Sequence, residues 1–373
     1  MSRPPGFRKR VIFNSALVVA LLAALNLLAS VILDGRRIYR SVFPPSDDRA
    51  ELPNYADKEQ ARRILGEFNQ LATRYVPFVE WRRDEYHSTT TNVSTDGHRV
   101  QPALPQTPVG TVLFFGGSAM WGTGVADDQT IPAFFHQLEP SFRVINYGES
   151  GFSTRQDLAQ LVNLVNQKQP MDLVVFYDGN NDAVTYCRPE VEINGHVHAR
   201  KIQRLLKPVS WIWDDLTGSL RELLSGKAIT RLFHGSAPSA TRCQESDEYA
   251  QRVAETIVIN WKIARAVARE GGADFVAILQ PVASLGSPRV DHLNPRDYSP
   301  QNPQNTIYPI VRRLLSESGA DWAYDFTDIF DGNEYTYIDV CHVTANGNRR
   351  VAERIAQIVG PRLRQITAAR SNP

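Results

Sequence analysis

The sequence has few cysteines, and its positive and negative charges almost cancel. The three cysteines, Cys187, Cys243 and Cys341, show no Cys-x-x-Cys spacing, so neither a disulfide-rich scaffold nor a cysteine zinc site is expected. Lysine and arginine number 41 against 40 acidic residues, and no basic stretch is concentrated in the body of the chain. Nucleic-acid-binding proteins usually carry such a stretch, so nucleic acid is not expected as a partner.

A long apolar run lies near the N-terminus. Residues 11–33 carry no charge, and at about 1.5 Å per helical residue they can cross a hydrocarbon core roughly 30 Å thick. A cleaved signal peptide is the competing interpretation. Its apolar core is usually only about 7–15 residues long, and no small-x-small cleavage site follows this run. We therefore predict an uncleaved transmembrane signal-anchor over residues 11–33.

The charges that flank this run orient it only weakly. Basic residues precede it within residues 1–10, and three arginines follow it closely. The positive-inside rule and the short N-terminal tail together favour a cytoplasmic tail over residues 1–10. We expect a single-pass protein of the inner membrane whose large C-terminal body lies on the periplasmic, extracytoplasmic side.

Beyond residue 107 the chain alternates between short buried runs and helical stretches. Such alternation predicts a three-layer α/β/α fold with a central parallel sheet. In this kind of sheet, ligands bind beyond the carboxyl ends of the strands. The predicted strands cover residues 111–115, 143–147, 172–177, 274–279 and 323–326, and the predicted helices cover about 130–138, 153–167, 248–270, 305–318 and 345–366.

The stretch between the apolar run and this alternation has a different pattern. Residues 34–107 indicate a juxtamembrane linker followed by a helical and strand segment. Apolar residues recur at helical spacing from residue 57 to about 75, and Pro77 should end that helix. Asp96-Gly97 is typical of a hairpin turn.

A second irregular stretch interrupts the alternation at about residues 185–247. It contains an apolar series with helical spacing, which predicts an insertion packed near the mouth of the site. Cys187 and Cys243 bracket it. Outside the cytoplasm these two cysteines can form a disulfide, although the sequence alone does not decide whether they do.

Four short motifs follow predicted strands or lie in the last loop. Ser118 comes directly after two glycines at a strand-to-helix turn, where its hydroxyl and its own N–H can be exposed together. Met120 stands where a G-x-S-x-G nucleophile elbow has its last glycine, so that motif is excluded. The other motifs span residues 146–151, 179–182 and 339–342.

Each motif alone has an ordinary structural explanation. Glycines after strands form tight turns, Asn and Asp form Asx-turns, and an Asp before a helix caps it. The functional interpretation is that a glycine N–H and an Asn side-chain amide from residues 179–182 stabilise an oxyanion. Asp339 would then orient His342, which would take a proton from Ser118.

Together and in this order, the motifs resemble the four blocks of the SGNH (GDSL-type) hydrolase family over roughly residues 108–365. The resemblance implies that Ser118 is the nucleophile of a triad with Asp339 and His342. It also implies an oxyanion hole built by the Ser118 N–H, Gly151 and Asn181.

Two residues depart from the family pattern or leave it open. Gly117 stands where the family usually has Asp before the nucleophile. Gly148 competes with Gly151 as the donor of the second block. We prefer Gly151 because the family's glycine often follows a Ser, as Gly151 follows Ser150.

The resemblance implies a membrane-anchored serine hydrolase that cleaves esters, with its SGNH domain over residues 108–366. An O-acylated glycan or a lipid ester is the expected substrate, for example the O-acetyl groups of an envelope glycan. An acyltransferase using the same acyl-enzyme and a non-catalytic envelope scaffold remain alternatives. No cofactor and no metal site are expected, since His196 and His198 lack a further His or Cys pair. The oligomeric state stays unknown.

Overall fold

The chain divides into two compact units. The computed structural model describes residues 6–42, 47–101, 105–206, 225, 229 and 241–371. One unit comprises residues 1–46 and 198–240, and the other comprises residues 47–197 and 241–373.

Helices and strands succeed one another along the described chain. The first half contains α1 (Gly6–Val42), a 3₁₀ helix (Asp48–Glu51), α2 (Lys58–Phe68), β1 (Thr73–Val76), β2 (Glu80–Arg83), β3 (Gly110–Gly116), α3 (Ser118–Trp121), a second 3₁₀ helix (Asp127–Gln129), α4 (Ile131–Leu138), β4 (Phe142–Asn146), α5 (Thr154–Asn166), β5 (Leu173–Asp178) and α6 (Asn180–Tyr186). The second half contains α7 (Ala199–Leu206), α8 (Arg242–Glu245), α9 (Asp247–Glu270), β6 (Asp274–Leu279), α10 (Gln304–Ser318), β7 (Ala323–Asp325) and α11 (Ala345–Ser371).

The first unit contains the apolar helix α1. Within its 25-residue stretch Ile12–Arg36, an 18-residue window has a mean hydropathy of 2.7, so α1 is long and apolar enough to cross a membrane, as a signal sequence also would be. Asn26 and Ala29 are its buried positions. The Ile229 N–H donates a hydrogen bond to Asn26 Oδ1 at 3.2 Å, which brings residue 229 of the insertion against α1.

The second unit is organised by a five-stranded parallel sheet in the order β4-β3-β5-β6-β7. Strands β3 and β5 are buried along their whole length, because helices cover both faces of the sheet. Helices α5, α9 and α10 pack on one face, and α4 and α11 pack on the other. After β3 the chain adds β4 on one side of β3, and it then returns to add β5 on the other side. The sheet therefore has a topological switch point at the carboxyl end of β3.

The predicted α/β fold is confirmed, and each of the five predicted strands overlaps an observed one. The helix predicted from residue 57 to about 75 is too long. Asn69 closes α2 at its C-cap, and the β-branched and aromatic residues that follow form β1, which pairs antiparallel with β2. Leu71, which continues the apolar pattern beyond the end of α2, packs in a small cluster with Val93 and Trp121.

Two smaller expectations can be compared with the structure. The hairpin turn predicted at Asp96-Gly97 is confirmed, since the Gly97 N–H donates to the Ser94 carbonyl at 2.8 Å. Cys187 and Cys243 form a disulfide at the two roots of the insertion, which the sequence left open. Between these roots, residues 198–240 belong to the unit of α1.

Candidate active site

Ser118, His342 and Asp339 form one hydrogen-bonded chain at the carboxyl end of the sheet. Ser118 is the first residue of α3, immediately beyond β3, and His342 lies in the loop before α11. His342 Nε2 is 2.7 Å from Ser118 Oγ, and His342 Nδ1 is 2.7 Å from Asp339 Oδ2. Asp339 Oδ1 also accepts the backbone N–H of His342 at 2.9 Å. The carboxylate thus fixes the Nδ1–H tautomer and leaves Nε2 facing the hydroxyl.

The two ionisable members of this chain perturb each other's pKa. Burial alone would lower the pKa of His342, but the charge of the Asp339 carboxylate raises it above the ordinary histidine value. Burial would raise the pKa of Asp339, but the charges of His342 and Arg49 hold it well below its usual range. Asp339 therefore stays ionised, and the imidazole is a stronger base than a free histidine.

Gly151 lies in the loop after β4, and Asn181 lies in the first turn of α6, just beyond β5. Gly151 has φ +82°, a left-handed conformation that favours glycine. Among the residues that the structure describes, the N–H groups of Ser118 and Gly151 have no hydrogen-bond acceptor. The Asn181 amide is oriented at both ends, since Nδ2 donates to the Phe152 carbonyl at 2.7 Å and Oδ1 accepts from Asn180 at 3.2 Å. Its second amide N–H remains to serve another acceptor.

The alternative donor, Gly148, has a different role. Its N–H is already donated to Asn146 Oδ1 at 3.0 Å. A Cβ at Gly148 would come within 2.5 Å of the Trp121 backbone nitrogen, so this glycine permits a close approach of the loop to α3. The geometry therefore favours Gly151 over Gly148 as a donor toward a ligand.

The glycine before Ser118 is explained by its contact with Asn181. A Cβ at Gly117 would lie 2.2 Å from Asn181 Nδ2. Any side chain at this position would displace the amide. Glycine in place of the family's usual Asp is therefore a steric requirement of this site.

Side chains from the hairpin of β1 and β2 hold the loop that carries Gly151. Trp81 Nε1 donates to the Ser150 carbonyl at 3.1 Å. Glu149 is fully buried, accepts the Arg83 backbone N–H at 3.0 Å and is 3.1 Å from Arg83 Nε. Burial raises the pKa of Glu149, although Arg82 and Arg83 oppose this. Sequence patterns do not reveal the hairpin residues, because these lie far from the motifs along the chain and carry no motif of their own.

Arg49 escapes sequence-based prediction for the same reason. Its Nη1 lies 2.7 Å from Asp339 Oδ2, so a guanidinium from the 3₁₀ helix Asp48–Glu51 touches the acid of the chain. No pattern within residues 34–57 signals such a contact.

Three buried aspartates lie beneath the strand ends. Asp157 accepts the Gly116 N–H at 3.2 Å, Asp178 accepts Trp261 Nε1 at 3.1 Å, and Asp182 accepts the hydroxyl of Thr154 at 2.7 Å. Burial raises the pKa of Asp157 to about 7, and burial together with the neighbouring carboxylates raises that of Asp178 well above its ordinary value. The negative charge of Asp157 disfavours ionisation of Asp178, so Asp178 keeps its proton more readily than a free aspartic acid. Its bond to Thr154 shows that Asp182 faces the start of helix α5, although Asp182 directly follows Asn181.

Two other histidines lie outside the hydrogen-bonded chain of Ser118, His342 and Asp339. His196 Nδ1 is 3.6 Å from Glu80 Oε2. His292 Nε2 contacts the Tyr337 carbonyl at 2.8 Å. Within the described part of the chain, one group has metal-ligand spacing, namely Asp339, Cys341 and His342. Two of its members are already engaged by Arg49 and Ser118.

The comparison with protein families decides the classification. The sequence profile described as the GDSL-like lipase/acylhydrolase family matches residues 114–350. The chain belongs to this family. GDSL-like acylhydrolases act on ester bonds, and this protein is accordingly a hydrolase of that class. No curated protein sequence matches the chain.

Solved structures of GDSL-type and other esterases resemble the chain at low sequence identity. A carbohydrate acetylesterase family member from Sinorhizobium meliloti is 18% identical, with a TM-score of 0.39 over 69% of this chain and 99% of the other. An inhibitor-bound aryl esterase from M. smegmatis is 15% identical, with a TM-score of 0.39 over 68% and 99%. The acetyl xylan esterase AlAXEase is 15% identical, with a TM-score of 0.36 over 67% and 99%.

Proposed function

We propose that this GDSL-like hydrolase is a membrane-anchored esterase in which Ser118 is the nucleophile. The observation that carries the proposal is the hydrogen-bonded chain from Ser118 Oγ through His342 to Asp339. A serine hydroxyl is a weak nucleophile until a neighbouring base removes its proton. His342 Nε2 is within hydrogen-bond reach of that proton.

In the proposed reaction, Ser118 Oγ attacks the ester carbonyl while His342 takes the hydroxyl proton. The tetrahedral oxyanion is stabilised by the N–H groups of Ser118 and Gly151 and by the amide of Asn181. His342 then returns the proton to the departing alcohol, and the acyl group remains on Ser118. Water, deprotonated by His342, attacks this acyl-enzyme. His342 then gives that proton to Ser118 Oγ as the bond to the acyl group breaks and the carboxylic acid leaves.

The apolar helix α1 supports a location at the membrane. We propose that α1 anchors the protein in the inner membrane with the hydrolase domain on the periplasmic side. The disulfide between Cys187 and Cys243 supports this side, since such bonds persist in oxidising compartments. An enzyme held there meets O-acylated envelope glycans and lipid esters, and we propose O-acetyl groups of a glycan as its substrate.

The decisive test is Ser118→Ala in the detergent-solubilised full-length chain. We expect turnover of an acetyl ester to fall by at least about 10³-fold, because the nucleophile is lost, with an unchanged melting temperature. A fluorophosphonate probe should label the wild type and not the variant. Ser141→Ala, an exposed serine at the opposite end of β4, is the matched control and should keep both activity and labelling.

Two results would contradict the proposal. Wild-type turnover by Ser118→Ala would exclude Ser118 as the nucleophile. A preference for long-chain acyl esters over acetyl esters would exclude the O-acetyl substrate while leaving the mechanism intact.

A further inference from the structure

The 3₁₀ helix that follows the membrane helix reaches the acid of the Ser118–His342–Asp339 chain. Asp47 caps this helix by accepting the Arg49 backbone N–H at 3.1 Å. The Arg49 guanidinium grips the Asp47 carboxylate in fork geometry, with Nε–Oδ1 at 2.9 Å and Nη2–Oδ2 at 2.7 Å. This fork leaves Nη1 for Asp339 Oδ2, which it meets at 2.7 Å. Arg49 thus joins two carboxylates through separate nitrogens.

Two further contacts hold this segment against the hydrolase domain. Asn54 Nδ2 donates to the Tyr337 carbonyl at 2.7 Å, two residues before Asp339. Tyr55 Oη donates to the Gly124 carbonyl at 2.7 Å, in the loop that follows α3. Both loops flank the reacting groups. The position of Arg49 is therefore fixed by neighbours as well as by its own ion pairs.

We propose that Arg49 is a positioning residue that holds and partly neutralises the Asp339 carboxylate, so that the segment after the membrane helix sets the pH range in which His342 acts as a base. This inference rests on the proposed role of His342. Arg49 lies outside the matched family region, residues 114–350.

The charges around the acid fix the direction of the effect. Asp339 raises the pKa of His342, and Arg49 lowers the pKa of Asp339. Because like charges repel, the Arg49 cation next to Asp339 also disfavours a second positive charge on the imidazole. Asp47 partly offsets Arg49, and Asp297 and Tyr55 interact electrostatically with the same pair. Cys341 also faces His342. Of these neighbours, Arg49 is the one that opposes protonation of His342 through direct contact with its carboxylate.

The test compares pH profiles of full-length Arg49→Met, Arg49→Lys and wild type. Activity requires neutral His342, so kcat/KM is lost as pH falls through the His342 pKa. Removing the Arg49 charge should raise that pKa and move the acidic limb up by about one pH unit, since 1.36 kcal/mol of lost repulsion equals one unit. Arg49→Lys should keep the limb near wild type and lose activity equally at all pH values, because an ammonium cannot reproduce the fork.

Arg62→Met is the matched control for the loss of a nearby cation. Arg62 on α2 pairs with Glu51 of the same 3₁₀ helix at 2.8 Å, and its side chain is 58% exposed. The acidic limb of the kcat/KM profile of Arg62→Met should stay at its wild-type pH. If Arg49→Met lowers activity by the same factor at every pH, with the limb unmoved, Arg49 is merely structural and the proposal is overturned.

A second readout keeps this proposal separate from the esterase assignment. The low-field ¹H signal of the His342 Nδ1 proton reports protonation of the ring without turnover, and can be titrated in Ser118→Ala as well as in wild type. The pKa read from this signal should rise in Arg49→Met. An unchanged pKa would overturn the role of Arg49. A raised pKa together with no ester turnover by the wild type would overturn the proposed function alone.

Discussion

Gly117 shows how one residue can depart from a family pattern for a local reason. The amide of Asn181 occupies the space where a side chain at residue 117 would begin, 2.2 Å from the ideal Cβ position. This amide cannot retreat without losing its bonds to the Phe152 carbonyl and to Asn180. The absence of the family's Asp therefore accompanies a tightly placed amide, which is the proposed oxyanion donor.

Restoring the family residue should consequently reduce activity. Gly117→Asp would push the Asn181 amide out of place, and losing one oxyanion donor typically costs about 2.7–4 kcal/mol, or 10²–10³ in rate. We expect kcat on an acetyl ester to fall by this factor with little change in KM, because the lost interaction belongs to the transition state. Gly117→Ala should fall in the same direction. An Asp variant with wild-type or higher kcat would show that Asn181 moves freely.

The residues of the motifs could be predicted because each motif adjoins a strand or the last helix along the sequence. Ser118, Asn181, Asp339 and His342 all follow or lie near an element whose apolar pattern is visible. Arg49 and Arg83 could not be predicted, since their partners Asp339 and Glu149 are distant along the chain. Only the packing of the N-terminal segment against the sheet's carboxyl edge brings them together.

The elements β5 and α5 carry the buried acid pair beneath the site. Asp178 ends β5 and Asp157 lies on α5, and a protonated Asp178 lets the two carboxyls occupy a buried position without two negative charges. In the unfolded chain Asp178 loses its proton near pH 4, whereas in the folded chain its pKa is raised well above that value. The free energy of unfolding should therefore fall as pH rises from about 4 toward the raised pKa.

Asp178→Asn tests this linkage. The amide is always neutral, keeps an oxygen for Trp261 Nε1, and can donate to the Asp157 carboxylate. We expect no gain in stability at pH 4 and a gain of the order of 1–3 kcal/mol at pH 8, measured by urea unfolding at both pH values. Asp274→Asn, at the exposed start of β6, is the control and should show no pH-dependent gain. A variant less stable than wild type at pH 8 would contradict a raised pKa of Asp178 in the folded chain.

Apolar periodicity predicted the strands of the sheet well and the end of helix α2 less well, and the difference has a physical reason. The central strands β3 and β5 are buried on both faces, so burial alone dictates continuous apolar runs. In the segment after α2, Leu71 is apolar because it packs with Val93 and Trp121 from elsewhere in the chain. A tertiary contact of this kind mimics helical spacing and lengthened the predicted helix.

At the scale of the whole molecule, the disulfide links the two roots of the insertion within the unit of residues 47–197 and 241–373. Cys187 caps α6, whose first residues include Asn181, and Cys243 lies in α8. The bond closes a separation of 56 residues. In the chain-entropy account such a loop is worth about 4 kcal/mol at most. Disulfides persist in oxidising compartments, so the presence of this bond in the cell would test the proposed side of the membrane.

Thiol counting turns this bond into a test of topology. Two of the three cysteines are paired and Cys341 is free, so the full-length chain, denatured in detergent without reductant, should accept one maleimide–polyethylene glycol group. A chain lacking residues 1–33 stays in the reducing cytoplasm and should accept three, which provides the control. Cys243→Ser in the full-length chain should accept two, because Cys187 is released. Three additions on the full-length wild type would place the hydrolase domain in the cytoplasm and remove the argument for an envelope substrate.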